Sequence, residues 1–213
     1  MAMAGVRGGA AIDCGCGTGI LMEDLSEHFE VAGVDISEEM LLHMNPATRA
    51  RCVVAAGSLE ALPFARARFD VAFCRGALHH AADLDTALAS IQSVLKPGGL
   101  LVLSEPCADS WLLRLPRWWW RTRSERFDDD HLALPGRYLR EKLAAHGLRV
   151  RAERRFGFVA FPLCGLSDIL PLMRYLPFRN TLTRWLIRFD QLCAHIPLLK
   201  RQAWHIIMVA ECE

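Results

Sequence analysis

The chain has 213 residues, 52% of them apolar, and a formal net charge of +1. That length suits one α/β domain with elaborations and a sizeable core, and no nucleic-acid partner is expected. Its eight cysteines form no C-x-x-C pair, which argues against a zinc or disulfide framework and fits a reducing cytosol. No apolar run reaches the ~18–20 residues of a membrane span.

In chain order, residues 1–10 have no apolar core, so no signal peptide is expected there. A short apolar strand follows at 10–13, then a glycine-rich turn, then a helix over 18–29. Strands are predicted at 31–35, 51–56, 69–74 and 100–104, with helices at 37–46 and 83–95. A helix over 135–146 should end at Gly147, and strands should occupy 149–156 and 203–210. The alternation predicts an α/β fold: a Rossmann-like, doubly wound sheet, mostly parallel and covered on both faces. A ligand would sit at the C-terminal ends of its strands.

The most informative stretch is Ala11-Ile12-Asp13-Cys14-Gly15-Cys16-Gly17-Thr18-Gly19. Three glycines allow a sharp turn and close approach of a ligand to the backbone. A dinucleotide fingerprint, G-x-G-x-x-G, would need its third glycine at position 20, which is Ile20. That argues against nicotinamide-dependent reduction. The pattern G-x-G-x-G, with an acid two residues before the first glycine, resembles the first motif of the class I S-adenosylmethionine-dependent methyltransferases. More blocks follow in order: Val31 to Ser37, Gly57 to Phe64, Phe69 to Cys74, Leu78-His79-His80, and Leu95-Lys96-Pro97-Gly98-Gly99. This series is similar to the subgroup that includes ubiquinone and menaquinone methyltransferases. The resemblance also implies an antiparallel last strand near the sheet edge.

The resemblance implies S-adenosylmethionine as cofactor and a set of binding residues. Gly15, Gly17 and Gly19 would admit its methionine portion, with Asp13 holding the turn or the amino group, and Cys16 packing within it. Asp35 would accept from the ribose hydroxyls and Ile36 would lie against adenine; otherwise Asp35 is a charge at a helix start. Ser58 stands where many relatives carry an aspartate that accepts from adenine, so the Leu59 N–H would share recognition. Arg75 would lie at the methionine end. His79 and His80 face the expected substrate entrance; either could be a general base, His80 ahead on alignment, or a loop-packing residue.

Residues 1–105 carry 7 Lys+Arg against 13 Asp+Glu, and residues 106–213 carry 18 against 11, so the halves differ at −6 and +7. The basic half suits an anionic partner or is a solvated surface. We read 1–213 as a single methyltransferase domain: a cofactor half, 1–105, and two helical insertions, 106–131 and 157–202, that form a substrate cover. The first insertion holds Trp118, Trp119 and Trp120 between Arg117 and Arg121. It also holds an Asp128-Asp129-Asp130-His131 run, which reads as a solvated loop or helix cap before a metal site. In the second, Leu182, Trp185, Leu186, Phe189 and Leu192 share a helical stripe, with Arg184 and Arg188 on the opposite side. Such a stripe packs on the sheet, meets a membrane interface, or joins a partner or second copy. About ten residues precede the first strand, where this family usually has one or two helices, so the insertions would have to supply that cover.

The expected function is methyl transfer to a lipophilic or bulky small molecule, at oxygen before carbon or nitrogen. The expected setting is cytoplasmic, peripheral to the inner face of a membrane, with a homo-oligomer compatible. The alternative is a catalytically weak relative that serves as a binding or scaffolding partner.

Overall fold

In the first strands nearly every residue is covered, whichever way its side chain points. β1 (Ala10–Cys14), β2 (Glu30–Asp35) and β4 (Phe69–Arg75) each carry four buried residues in succession. Continuous burial of this kind is the mark of strands covered on both faces. A computed structural model of the chain describes residues 8–111, 133–159, 178–194, 196, 199 and 201–213. It adds β3 (Val53–Ala56), β5 (Leu95–Pro106), β6 (Leu148–Phe156) and β7 (His205–Cys212) to a seven-stranded sheet in the order β3-β2-β1-β4-β5-β7-β6. The sheet is mostly parallel with one antiparallel edge, as expected.

β1 pairs with β2 through Asp13↔Gly33 and with β4 through Asp13↔Phe73. After β3 the chain crosses to the other side of β1 and enters β4. The winding therefore reverses between β1 and β4, and a crevice opens beyond their C-terminal ends.

The helices follow local chemistry. α1 (Ile20–Leu25) is shorter than the expected 18–29. The chain turns after Leu25, whose carbonyl accepts from both His28 N (2.9 Å) and Phe29 N (3.0 Å). The expected helix over 37–46 is two helices, α2 (Glu38–Leu42) and α3 (Pro46–Arg51). Asn45 forces the break: it caps α3 by accepting from Ala47 N at 3.0 Å, and Pro46 at the first helical position lacks the N–H that continuation would need. α3 runs to Arg51, so β3 begins two residues later than predicted. β5 begins earlier than the expected 100, because Leu95 already pairs with Phe69 before an irregular step over 96–99.

α4 (Leu84–Val94) is capped by Asp83 and buries Ala87, Leu88, Ile91 and Val94, one face of a helix. Each of its large apolar side chains contributes about 1.5–3 kcal/mol. α5 (Gly136–Ala145) is tied to α4 because Asp85 meets both Lys142 and His146. α6 (Arg179–Cys193) is the helix of the predicted stripe.

Two compact units emerge. One comprises Met1–Glu105, Arg137–Glu153 and Met208–Glu213. The other comprises Pro106–Gly136 and Arg154–Ile207. Within the second, Asp109 pairs with Arg155 at 2.5 Å, and buried Asp190 on α6 accepts from Phe158 N and Val159 N at 3.0 and 2.9 Å. The stripe of α6 does not pack inward: Trp185, Phe189 and Leu192 are exposed. The tryptophan cluster 118–120 and the 128–131 run lie outside the described residues.

Candidate functional site

The glycine turn forms the floor of the β1/β4 crevice. Gly15 has φ 79°, and a Cβ there would stand 2.4 Å from that of Ala77, so neither its conformation nor its surroundings admit a side chain. Gly15 N and Cys16 N both donate to Val34 O, at 2.8 and 3.0 Å, stitching the turn to the end of β2. Cys16 packs at the underside of the turn, and burial pushes its thiol up to about 12. Cys14 is shifted the same way. Neither sulfur is a nucleophile at neutral pH.

Asp35 ends β2 and fixes the turn from above. One carboxylate oxygen accepts from Gly17 N at 2.7 Å and the other from Ser37 N at 2.9 Å. An ionised carboxylate has about four lone-pair sites, so two remain for a ligand diol. Ile36 beside it is 78% exposed, and exposed Ile20 and Met40 extend that apolar surface. A Cβ on Gly17 would make only ordinary contact with Met40 Cε, at 3.6 Å.

Asp13, at the end of β1, is 2% exposed. Burial raises its pKa to about 7; the charge of Arg75 opposes that rise and the charge of Asp35 adds to it. Arg75 itself is exposed at the end of β4.

At the end of β3, Ser58 caps the short 3-10 turn Leu59–Ala61, accepting from Glu60 N at 3.3 Å, and its hydroxyl donates to the Glu60 carboxylate. Glu60 also accepts from Ala82 N at 2.8 Å, which links the loop after β3 to the loop after β4. Sequence reading missed Glu60.

It also missed Glu105, the fully buried acid near the end of β5. Glu105 Oε1 accepts from Ala77 N (3.2 Å) and Leu78 N (3.0 Å), and Oε2 lies 2.6 Å from His79 Nδ1. The His79 side chain is only 7% exposed. His80, ranked ahead on alignment, is instead exposed, its ring 4.0 Å from that of His79 and tilted by 41°. The available signal was an acid at a strand end that is otherwise apolar. The histidine pattern could not show which of two neighbours it would meet.

The structure thus gathers Asp13, the glycines, Cys16, Asp35, Arg75 and His79 at the ends of β1, β2 and β4, with Ser58 and Leu59 at the end of β3. A cavity of about 530 Å³ bounded by Gly9, Glu30, Asp70 and Lys96 lies at the opposite, N-terminal edge, away from these groups. Among the described residues no cluster of three His, Cys, Asp or Glu side chains is set to hold a metal.

This fold, with a glycine turn at the switch point and an acid ending the second strand, is similar to that of the class I S-adenosylmethionine-dependent methyltransferases. Residues 12–103 match the family described as "Methyltransferase domain". The chain is 36% identical over 109 residues to malonyl-[acyl-carrier protein] O-methyltransferase of Erwinia billingiae, which covers 49% of this chain and 41% of that protein. It therefore spans about two fifths of that relative's length. Its fold is similar to that of geranyl diphosphate C-methyltransferase from Streptomyces coelicolor, solved with Mg2+, geranyl diphosphate and S-adenosyl-L-homocysteine. The TM-score is 0.69 at 15% identity, over 99% of this chain and 75% of that one. The [4+2]-cyclase SpnF is also similar, with a TM-score of 0.64 at 18% identity over 97% and 75% of the two chains.

Proposed function

We propose that this protein transfers a methyl group from S-adenosylmethionine to a lipophilic or bulky small molecule, at oxygen before carbon or nitrogen. The observation that carries the reading is the Asp35 carboxylate, anchored on Gly17 N and Ser37 N beside the glycine turn at the switch point. These groups fit the cofactor. Asp35 would hold the ribose, Ile36 would lie against adenine, with Ser58 and the Leu59 N–H at its edge. The turn 13–19 would receive the methionine portion, with Asp13 and Arg75 flanking it.

The cofactor, when bound, supplies a methyl carried on a sulfonium, and a nucleophile displaces it in one in-line step. The protein's part is alignment and, for a hydroxyl acceptor, removal of a proton. His79 is placed for that second task. Glu105 Oε2 accepts from Nδ1–H, and a carboxylate on that nitrogen raises the basicity of the imidazole and stabilises it once it takes a proton. The same carboxylate fixes the loop through Ala77 N and Leu78 N, so the imidazole is held in place. This arrangement is what favours oxygen as the acceptor atom. We place the protein in the cytoplasm, in peripheral contact with the inner face of a membrane.

A second reading, a binding or scaffolding protein of weak activity, draws on Ser58. Its hydroxyl is engaged with Glu60, and it offers adenine less than an aspartate would. Calorimetry with S-adenosylmethionine and S-adenosylhomocysteine tests both readings at once. Absence of binding would remove the methyltransferase reading. Binding without turnover on any hydroxylated lipophilic acceptor would favour the scaffold.

A further inference from the structure

α6 anchors itself by one face and leaves its apolar face outside. The anchoring face holds Asp190, 6% exposed and bonded to two backbone amides, and buried Cys193. Leu182, Trp185, Phe189 and Leu192, at helical steps of three and four, form a separate strip that is 38%, 64%, 51% and 69% exposed. Phe178 and Ile196, just beyond either end of the helix, are exposed as well. Arg184 and Arg188 are both exposed, and Arg188 lies 5.9 Å over the Trp185 ring, at the border of the strip and not opposite it.

We propose that α6 is a membrane-surface helix, lying in the interface of an anionic bilayer with its strip in the acyl boundary and Arg184 and Arg188 at headgroup phosphates. Charge selects this occupant. The only acid on α6 is Asp190, buried and engaged, so the exposed surface of the helix carries no negative charge: Arg184 and Arg188 accompany the apolar strip, with Asn180, Thr181 and Gln191 as neutral polar residues. A second copy seated on it would set arginine against arginine, at a cost in repulsion. Residues 106–213 carry +7 against −6 for the remainder, so the attraction to an anionic surface is not local to two side chains. Fifteen residues span about 22 Å, short of a bilayer core, so the helix lies on the membrane and does not cross it. Tryptophan with arginine suits the headgroup depth, where the ring is half buried and the guanidinium reaches phosphate.

This extends the reading of a lipophilic acceptor, but its test is independent of methyl transfer. The chain is sedimented with vesicles of phosphatidylcholine alone and with about one third phosphatidylglycerol, at ~0.1 M and ~1 M salt. Variants Trp185→Ala/Phe189→Ala and Arg184→Glu/Arg188→Glu run alongside, with S-adenosylhomocysteine affinity and circular dichroism as checks of folding. Expected is binding to the anionic vesicles, weakened at high salt and lowered at least about tenfold by either double substitution. Equal pelleting of wild type and both variants, or none with any vesicle, would overturn it. So would a dimer in the ultracentrifuge that Trp185→Ala/Phe189→Ala dissolves while vesicle binding is absent. If vesicles bind and S-adenosylhomocysteine does not, the methyltransferase reading fails and this one stands.

Discussion

Asp13→Asn should flatten the pH dependence of stability. Burial raises the Asp13 pKa from 3.8 to about 7 in the folded chain, so the folded state holds this proton over a range where the unfolded chain has lost it. The group's stabilising contribution is complete below about pH 4. It falls as pH rises and is fully lost once pH passes about 7, because charging a buried carboxylate costs more than charging a solvated one. At ~1.36 kcal/mol per pKa unit, the whole loss is about 4 kcal/mol, of which about 2–3 kcal/mol falls between pH ~5 and ~8. Asparagine has nearly the shape of the protonated acid and does not titrate. Urea unfolding of both proteins at those two pH values, without ligand, isolates the difference, since every other titrating group is shared. The wild type should lose about 2–3 kcal/mol more than the variant. Arg75→Ala should enlarge that gap, having removed an opposing charge, and Asp35→Asn should shrink it. Parallel pH profiles would refute the reasoning and return Asp13 to an ordinary carboxylate.

The other expectations concern the site. Asp35→Ala should weaken S-adenosylhomocysteine binding by roughly 1.5–3 kcal/mol in calorimetry, the scale of lost hydrogen bonds to a charged group. Affinity equal to wild type would dismiss the ribose assignment. His79→Gln should lower kcat by about 10²-fold or more with cofactor affinity nearly intact, while His80→Gln leaves kcat within a few-fold; the reverse order would exchange their roles. Gly15→Ala should destabilise by more than ~1 kcal/mol in thermal or urea melts, because a positive φ and a 2.4 Å approach to Ala77 act together. A smaller penalty in Gly15→Ala/Ala77→Gly would separate the clash from the backbone term.

Much of the sheet was readable because its residues obey local rules. The apolar runs at β1, β2 and β4 are continuous, as strands covered on both faces require, and the glycine turn can follow β1 in few other ways. α4 announced itself by its cap and its face of Ala87, Leu88, Ile91 and Val94. The break at Asn45-Pro46 was also written in the chain, but the apolar periodicity running through it obscured it. Glu105 and Glu60 were illegible for a different reason. Their partners are backbone amides 22 to 28 residues away, and a backbone amide has no signature in a sequence. The stripe on α6 was legible as a pattern, though not its direction. Amphipathicity says that one face is apolar and does not say which neighbour, protein or otherwise, that face will meet.

The short turn Leu78–His80 opens at Ala77, whose methyl cannot cap it, and its first amides are satisfied from Glu105 on another strand. The turn closes its own bonds from His80 N to Ala77 O and from Ala81 N to Leu78 O, both 3.1 Å, but its first two amides have to wait for β5 to arrive. In hydrogen exchange, the Ala77 and Leu78 amides should report the undocking of β5 and not the fraying of their own loop. The segment that presents His79 is then as durable as the middle of the sheet, although it lies at its edge.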